Sequence, residues 1–203
     1  MMHGNILPGF YQAGFANAEL DAYSGPGGWN DPDYILIGTV GDARNIAAPA
    51  HLTALTHEEQ YSYMSMWSLM AAPLIFSGDM SKLDDFTLNV LCNSEVIDID
   101  QDPLGKQGVI VRKTQDVFIL KKPLEDGSLA VGLFNLTTVP RSISVDWNEL
   151  GLTEAQTVRD VWRQRDRGSV AGRFSATVLG HSVVLVRLIP VSPRSASASV
   201  LIQ

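Results

Sequence analysis

Residues 25–33 read Gly-Pro-Gly-Gly-Trp-Asn-Asp-Pro-Asp and place an indole (Trp29), a carboxamide (Asn30) and two carboxylates (Asp31 and Asp33) side by side. Three glycines and two prolines in nine residues exclude a helix interior or a central strand, so the segment is a shaped turn. A flat ring buried beside carboxylates suits a sugar, whose C–H faces pack on the ring while its hydroxyls meet the acids. As an i, i+2 pair in extended chain, Asp31 and Asp33 face one way, about 6–7 Å apart. That falls loosely between the separations used by retaining and inverting glycosidases. Two acids on one short turn approach a sugar from one side, however, whereas nucleophile and general acid must flank the scissile bond. The pair therefore reads as supporting equipment. The same letters also suit a plain Gly/Pro turn with an N-capping Asp.

Other reactive side chains are sparse. The one cysteine, Cys92, follows Val90 and Leu91 and reads as a buried thiol, and no intrachain disulfide is possible. His3, His51, His57 and His181 show no metal-ligand spacing, so neither a metal nor a cofactor is expected. Asp79 reads as a helix cap, and Asp98, Asp100 and Asp102 as parts of a connector. A net charge of −7 without a basic stripe argues against nucleic acid or an anionic membrane surface as partner. No apolar run approaches the roughly 18 residues that a membrane span needs. Met1–Asn5 has neither the basic start nor the apolar core of a signal peptide.

The elements that must hold the turn come in two textures, meeting near Gln101-Asp102-Pro103-Leu104-Gly105. Upstream, Tyr34–Gly38 reads as a short buried strand and Thr39–Leu55 as a polar loop. Thr56 with Glu59 forms a capping-box pattern that opens a helix to about Ala72, with Tyr63, Trp67, Met70 and Leu74 as its core stripe. Pro73 stops that helix, Leu74–Phe76 is a second strand, and helices follow at about Asp84–Cys92 and Glu95–Ile99. This order is β/α, with parallel strands covered by helices. A full (β/α)8 barrel takes about 250 residues, so residues 1–103 provide about its last two units. Both strands would then carry open edges, which implies association with the rest of a barrel or with a second copy.

Downstream, strands are expected at Val109–Lys113, Val117–Lys121, Leu129–Asn135, Ser142–Trp147, Thr157–Trp162, Arg173–Val178 and Val183–Ile189, with turns at Asp126-Gly127 and Arg167-Gly168. That spacing describes an antiparallel β-sandwich over 104–190, and the Ser/Ala-rich 191–203 reads as a flexible tail.

The turn resembles the Gly-Pro-Gly-x-Trp-Asn-Asp-Pro-Asp signature of glycoside hydrolase family 27, the clan D α-galactosidases and α-N-acetylgalactosaminidases. Gln101-Asp102-Pro103-Leu104-Gly105-Lys106-Gln107-Gly108 resembles that family's passage from barrel to sandwich. Asp160-Val161-Trp162-Arg163, Phe174 and His181 are similar to its bacterial sandwiches. The resemblance implies the C-terminal part of a TIM barrel followed by a β-sandwich, and retaining hydrolysis of terminal α-galactosides. It also implies a secreted, periplasmic or lysosomal-type setting. It makes Asp33, Tyr34 and Trp29 substrate-binding and Asp31 a residue that holds the turn or orients a pocket Arg. Tyr34 stands where the family usually has Met. The family's nucleophile, in a Tyr-x-Lys-x-Asp setting, has no counterpart here, and both catalytic carboxylates are expected upstream of Met1. The loop that separates galactose from N-acetylgalactosamine or pentopyranoside specificity is upstream too. The other reading is a non-catalytic remnant, or a sandwich that binds sugar or packs on a partner.

Overall fold

The computed structural model describes residues 7–41 and 47–191, with side chains from Ala13 onward. The expected flexible stretch Ser192–Ser199 and the start at Met1–Asn5 lie outside the described residues. The chain opens with a helix α1 (Leu7–Ala18). No helical apolar period announces α1. A small antiparallel pair, β1 (Thr39–Val40) and β2 (His51–Leu52), lies inside the expected polar loop.

Helix α2 (His57–Leu69) begins where the capping box places it. Thr56 Oγ1 accepts from the Glu59 amide at 3.3 Å, and the Glu59 carboxylate accepts from the Thr56 amide at 2.8 Å. It ends three residues before Ala72 because Ala71 turns left-handed (φ 50°) ahead of Pro73. Short helices α3 (Asp85–Leu91) and α4 (Ser94–Asp100) follow, capped by Asp84 and Asn93. Asp79 caps a 3-10 turn at Met80–Lys82 and not a longer helix.

Eight strands then build the sandwich. β3 (Val109–Lys113), β4 (Val117–Pro123), β5 (Leu129–Asn135), β7 (Gln156–Asp160), β8 (Arg165–Val170) and β10 (Val183–Pro190) form one antiparallel sheet, in the order β3-β4-β5-β10-β7-β8. β6 (Arg141–Asp146) and β9 (Arg173–Val178) form the other. A one-turn helix α5 (Trp147–Leu150) carries the residue expected to close β6. Arg167-Gly168, expected as a turn, lies inside β8. The reversal occurs instead at Val161–Gln164, where Gln164 adopts φ 49°.

The central strands β4, β5 and β10 of the large sheet are buried on both faces, so they read as near-continuous apolar runs. Ile119, Val131, Leu133, Val158, Val186 and Leu188 face β6 and β9. The alternate residues Phe118, Leu120, Ala130, Phe134 and Leu185 share one core with Tyr63, Met66, Trp67 and Leu69 of α2. Helix α2 is buried almost all round because it lies between the sheet and the turn at 25–38. This partial barrel on an antiparallel sandwich is the fold class that the sequence implies. Cys92, expected inside, is exposed: the last turn of α3 leaves its side chain in solvent while Val90 takes the core position.

Candidate functional site

The signature turn is closed by its glycines. Gly25 and Gly28 exchange two backbone hydrogen bonds of 2.9 Å, and Gly27 takes φ 98° behind Pro26. Proline followed by a left-handed glycine is the order such a tight turn needs. Beyond it Trp29 is 45% exposed, so the indole is an open surface and not the buried ring that was expected. Asp31 is exposed and its Oδ1 accepts from the Asp33 amide at 2.9 Å, which holds the turn locally. Asp33 Oδ1 accepts from the Tyr34 amide at 2.9 Å, and Tyr34 is 49% exposed.

Asp33 is the strained point of this site. It holds φ 86°, a left-handed value that costs a non-glycine residue on the order of 1–3 kcal/mol. Two buried rings of α2 grip the backbone there. Trp67 Nε1 donates to the Asp33 carbonyl at 3.0 Å, and the Tyr63 hydroxyl donates to the Tyr34 carbonyl at 2.6 Å. The rings meet edge to face, with centroids 4.3 Å apart. Burial, reinforced by the nearby Asp33 carboxylate, pushes the Tyr63 phenol well above its ordinary range, so it remains a donor. Tyr63 and Trp67 read from sequence only as core. The signal for more was their polar ends at i, i+4, on the same helix face as Gln60.

The turn is also tied to the connector, so the two motifs meet in space. Asn30 Nδ2 donates to Gln107 Oε1 at 3.0 Å and to the Leu20 carbonyl at 2.7 Å, while Gln107 Nε2 donates to the Asn17 carbonyl at 2.8 Å. A Cβ on Gly105 would come within 3.0 Å of Pro26 Cγ, so the connector lies directly on the turn. Lys122 of β4, fully buried, donates to the Asp100 carbonyl at 3.1 Å and reaches the Ser68 carbonyl at 3.5 Å. One sandwich cation thus sits at the C-termini of α2 and α4, where helix dipoles favour it. Burial holds the Asp100 carboxyl above, and the Lys122 ammonium below, their ordinary values.

Asp31 and Asp33 lie two positions apart on one turn, each carboxylate accepting from a backbone amide of that same turn. No cluster of His, Cys, Asp or Glu suited to a metal ion occurs among the described residues. A cleft of about 490 Å3 is lined by Asp146, Trp147 and Glu149 and by no residue of the turn. Its two carboxylates are paired with Arg173 and Arg112.

Two family models match the chain in order, "Alpha galactosidase A" over residues 11–102 and "Alpha galactosidase C-terminal beta sandwich domain" over residues 114–188. The chain belongs to the α-galactosidase family. It is 36% identical over 170 residues to the α-galactosidase of Cyamopsis tetragonoloba, matching 83% of this chain and 38% of that one. To α-galactosidase 3 of Arabidopsis thaliana it is 35% identical, over 83% of this chain and 37% of that one. Among solved structures, it superposes on a family 27 β-L-arabinopyranosidase from Geobacillus stearothermophilus with TM-score 0.81 and 26% identity, over 91% of this chain and 41% of that one. The chain spans well under half the length of these relatives. No helix among the described residues is long and apolar enough to cross a membrane.

Proposed function

We propose that this chain is the C-terminal portion of a retaining α-galactosidase, acting on terminal α-D-galactosides of oligosaccharides or glycoconjugates. The division is 1–103 for the end of the barrel, 104–190 for the sandwich and 191–203 for a tail. Trp29, Asp33 and Tyr34 face the sugar and Asp31 supports them. The nucleophile and general acid/base belong to the portion of the family's enzymes that this chain does not match. The observation that carries the reading is the turn itself. It displays an open indole, a carboxylate and a phenol together, on a backbone gripped by α2 and by the connector. Such a half-site binds one side of a sugar and has no group for the other.

The test is a chimaera that places the unmatched portion of the Cyamopsis tetragonoloba enzyme ahead of residues 11–203. Hydrolysis of a nitrophenyl α-D-galactopyranoside by the chimaera, with none by the 203-residue chain alone, is the expected result. A folded chimaera without turnover would reject the reading in favour of a non-catalytic remnant. A second reading, a pentopyranosidase, is favoured by the structural likeness to the β-L-arabinopyranosidase and by Tyr34 in place of the usual Met. Faster cleavage of nitrophenyl β-L-arabinopyranoside by the same chimaera would select it, and preference for an α-N-acetylgalactosaminide would select that branch of the family.

A further inference from the structure

The extended segment 34–38 uses its two edges differently. At one edge Ile35 meets the next extended segment: its amide donates to the Ile75 carbonyl at 2.8 Å, the Ser77 amide donates to its carbonyl at 3.0 Å, and Ile35 and Phe76 form a parallel bridge. In a closed barrel the other edge would meet a second strand. Here it meets three side chains and the Thr53 amide. The Tyr34 carbonyl takes the Tyr63 hydroxyl, and the Leu36 amide also bonds the Tyr63 phenol. The Leu36 carbonyl takes Thr53 Oγ1 at 3.2 Å, the Gly38 amide donates to Gln60 Oε1 at 3.2 Å, and the Gly38 carbonyl takes the Thr53 amide at 2.8 Å. One step before, the Asp33 carbonyl takes the Trp67 indole. Gln60, Tyr63 and Trp67 lie along one face of α2, and all three are buried. Gln60 is itself held through Nε2, which donates to the Leu55 carbonyl at 3.0 Å.

We propose that Gln60, Tyr63 and Trp67 are positioning residues for the sugar-facing turn: their side chains stand in for a neighbouring strand along residues 33–38 and hold Asp33 in its left-handed conformation. The turn is then preformed by this chain's own residues and does not wait for the rest of a barrel to shape it. Its role toward a sugar rests on the α-galactosidase reading, whereas the edge contacts do not.

The first arm of the test is amide hydrogen exchange, resolved by residue, on the 203-residue chain. Leu36 and Gly38 should be protected along with Ile35. Tyr63→Phe keeps the ring and removes only the hydroxyl, and should speed Leu36 exchange about tenfold or more while Ile35 stays as it was. Gln60→Met should speed Gly38 alone. Unprotected Leu36 and Gly38 in the unaltered chain, or a uniform acceleration of all three amides in either variant, would overturn the edge assignment. The second arm uses the chimaera and the Asp33 carbonyl, which lies one step before the edge that a barrel strand would take. Trp67→Phe keeps a ring and removes the indole donor, and should raise KM by about fivefold or more with kcat within about twofold, since the displaced groups bind the sugar and do not react with it. A loss confined to kcat, or no change in either constant, would overturn the positioning role. A chimaera inactive on every substrate removes the sugar-facing role together with the α-galactosidase reading, and the exchange pattern is then judged on the chain alone.

Discussion

The sandwich and the β/α part satisfy their backbones in opposite ways. In the sandwich, β4 and β5 are registered over seven residue pairs from Val117↔Asn135 to Pro123↔Leu129, and β5 and β10 over six. In the β/α part, Ile35↔Phe76 is an isolated bridge, and the opposite edge is held by three side chains, Tyr63, Gln60 and Thr53. A ladder spreads its bonds over many residues, so no single side chain is indispensable to it. A backbone held by side chains concentrates the same task in a few, each removable by one substitution.

The largest way to break that comparison is Trp67→Ala. It removes the largest fully buried side chain among the described residues together with the donor to Asp33, and should cost about 3–5 kcal/mol in denaturant unfolding. Its mark is selective loss of exchange protection at residues 33–38, while Phe134→Ala, a cut of similar size in the sandwich, should lower protection throughout. Matching profiles from the two variants would erase the distinction. Next is Lys122→Met, which leaves the buried Ser68 and Asp100 carbonyls without their cation and should cost about 3 kcal/mol. A cost below about 1 kcal/mol would mean that this buried cation adds little to the joint between the two parts.

The same joint has a pH signature. Burial raises the folded-state pKa of Asp100 to about 7, against about 3.9 in an unfolded chain. Its contribution to stability is therefore full below about pH 4 and is lost as pH rises toward 7. The Tm advantage of the unaltered chain over Asp100→Asn should shrink steadily across that window, and an advantage that grows with pH would contradict the assignment. Smaller still, Thr56→Ala removes the side-chain half of the α2 capping box and should cost about 1 kcal/mol. Cys92→Ser, at an exposed position outside both networks, should change stability by less than about 0.5 kcal/mol.

How far the sequence could be read follows the same divide. β3, β5 and β9 fall on the residues that alternation and turn signals indicate, because ladders impose those periods on composition. β8 escapes such a reading: its residues are almost all exposed, so Arg165–Val170 carries no apolar period. Helix α2 was legible at its start, where Thr56 and Glu59 encode a cap, and less so at its end, where a left-handed Ala71 intervenes. Tyr34–Gly38 read as a buried strand because its apolar run looks like one, but the run does not reveal that side chains fill one edge. At the candidate site, Trp29, Asp31, Asp33 and Tyr34 stand out by type and spacing. The grip of Tyr63 and Trp67 does not, since a ring that packs and a ring that also donates are spelled with the same letter.

The amide pair between Asn30 and Gln107 has a consequence for recombination. Any crossover between residues 31 and 106 parts two side chains that lie 77 positions apart yet share one hydrogen bond. Sandwiches exchanged among relatives at the visible boundary near Pro103 would carry Gln107 to a foreign Asn30, and with it the Gly105 surface to a foreign Pro26. The seam that composition makes obvious therefore divides the pair, and exchange across it keeps the joint only with relatives that supply both the signature Asn and the connector Gln.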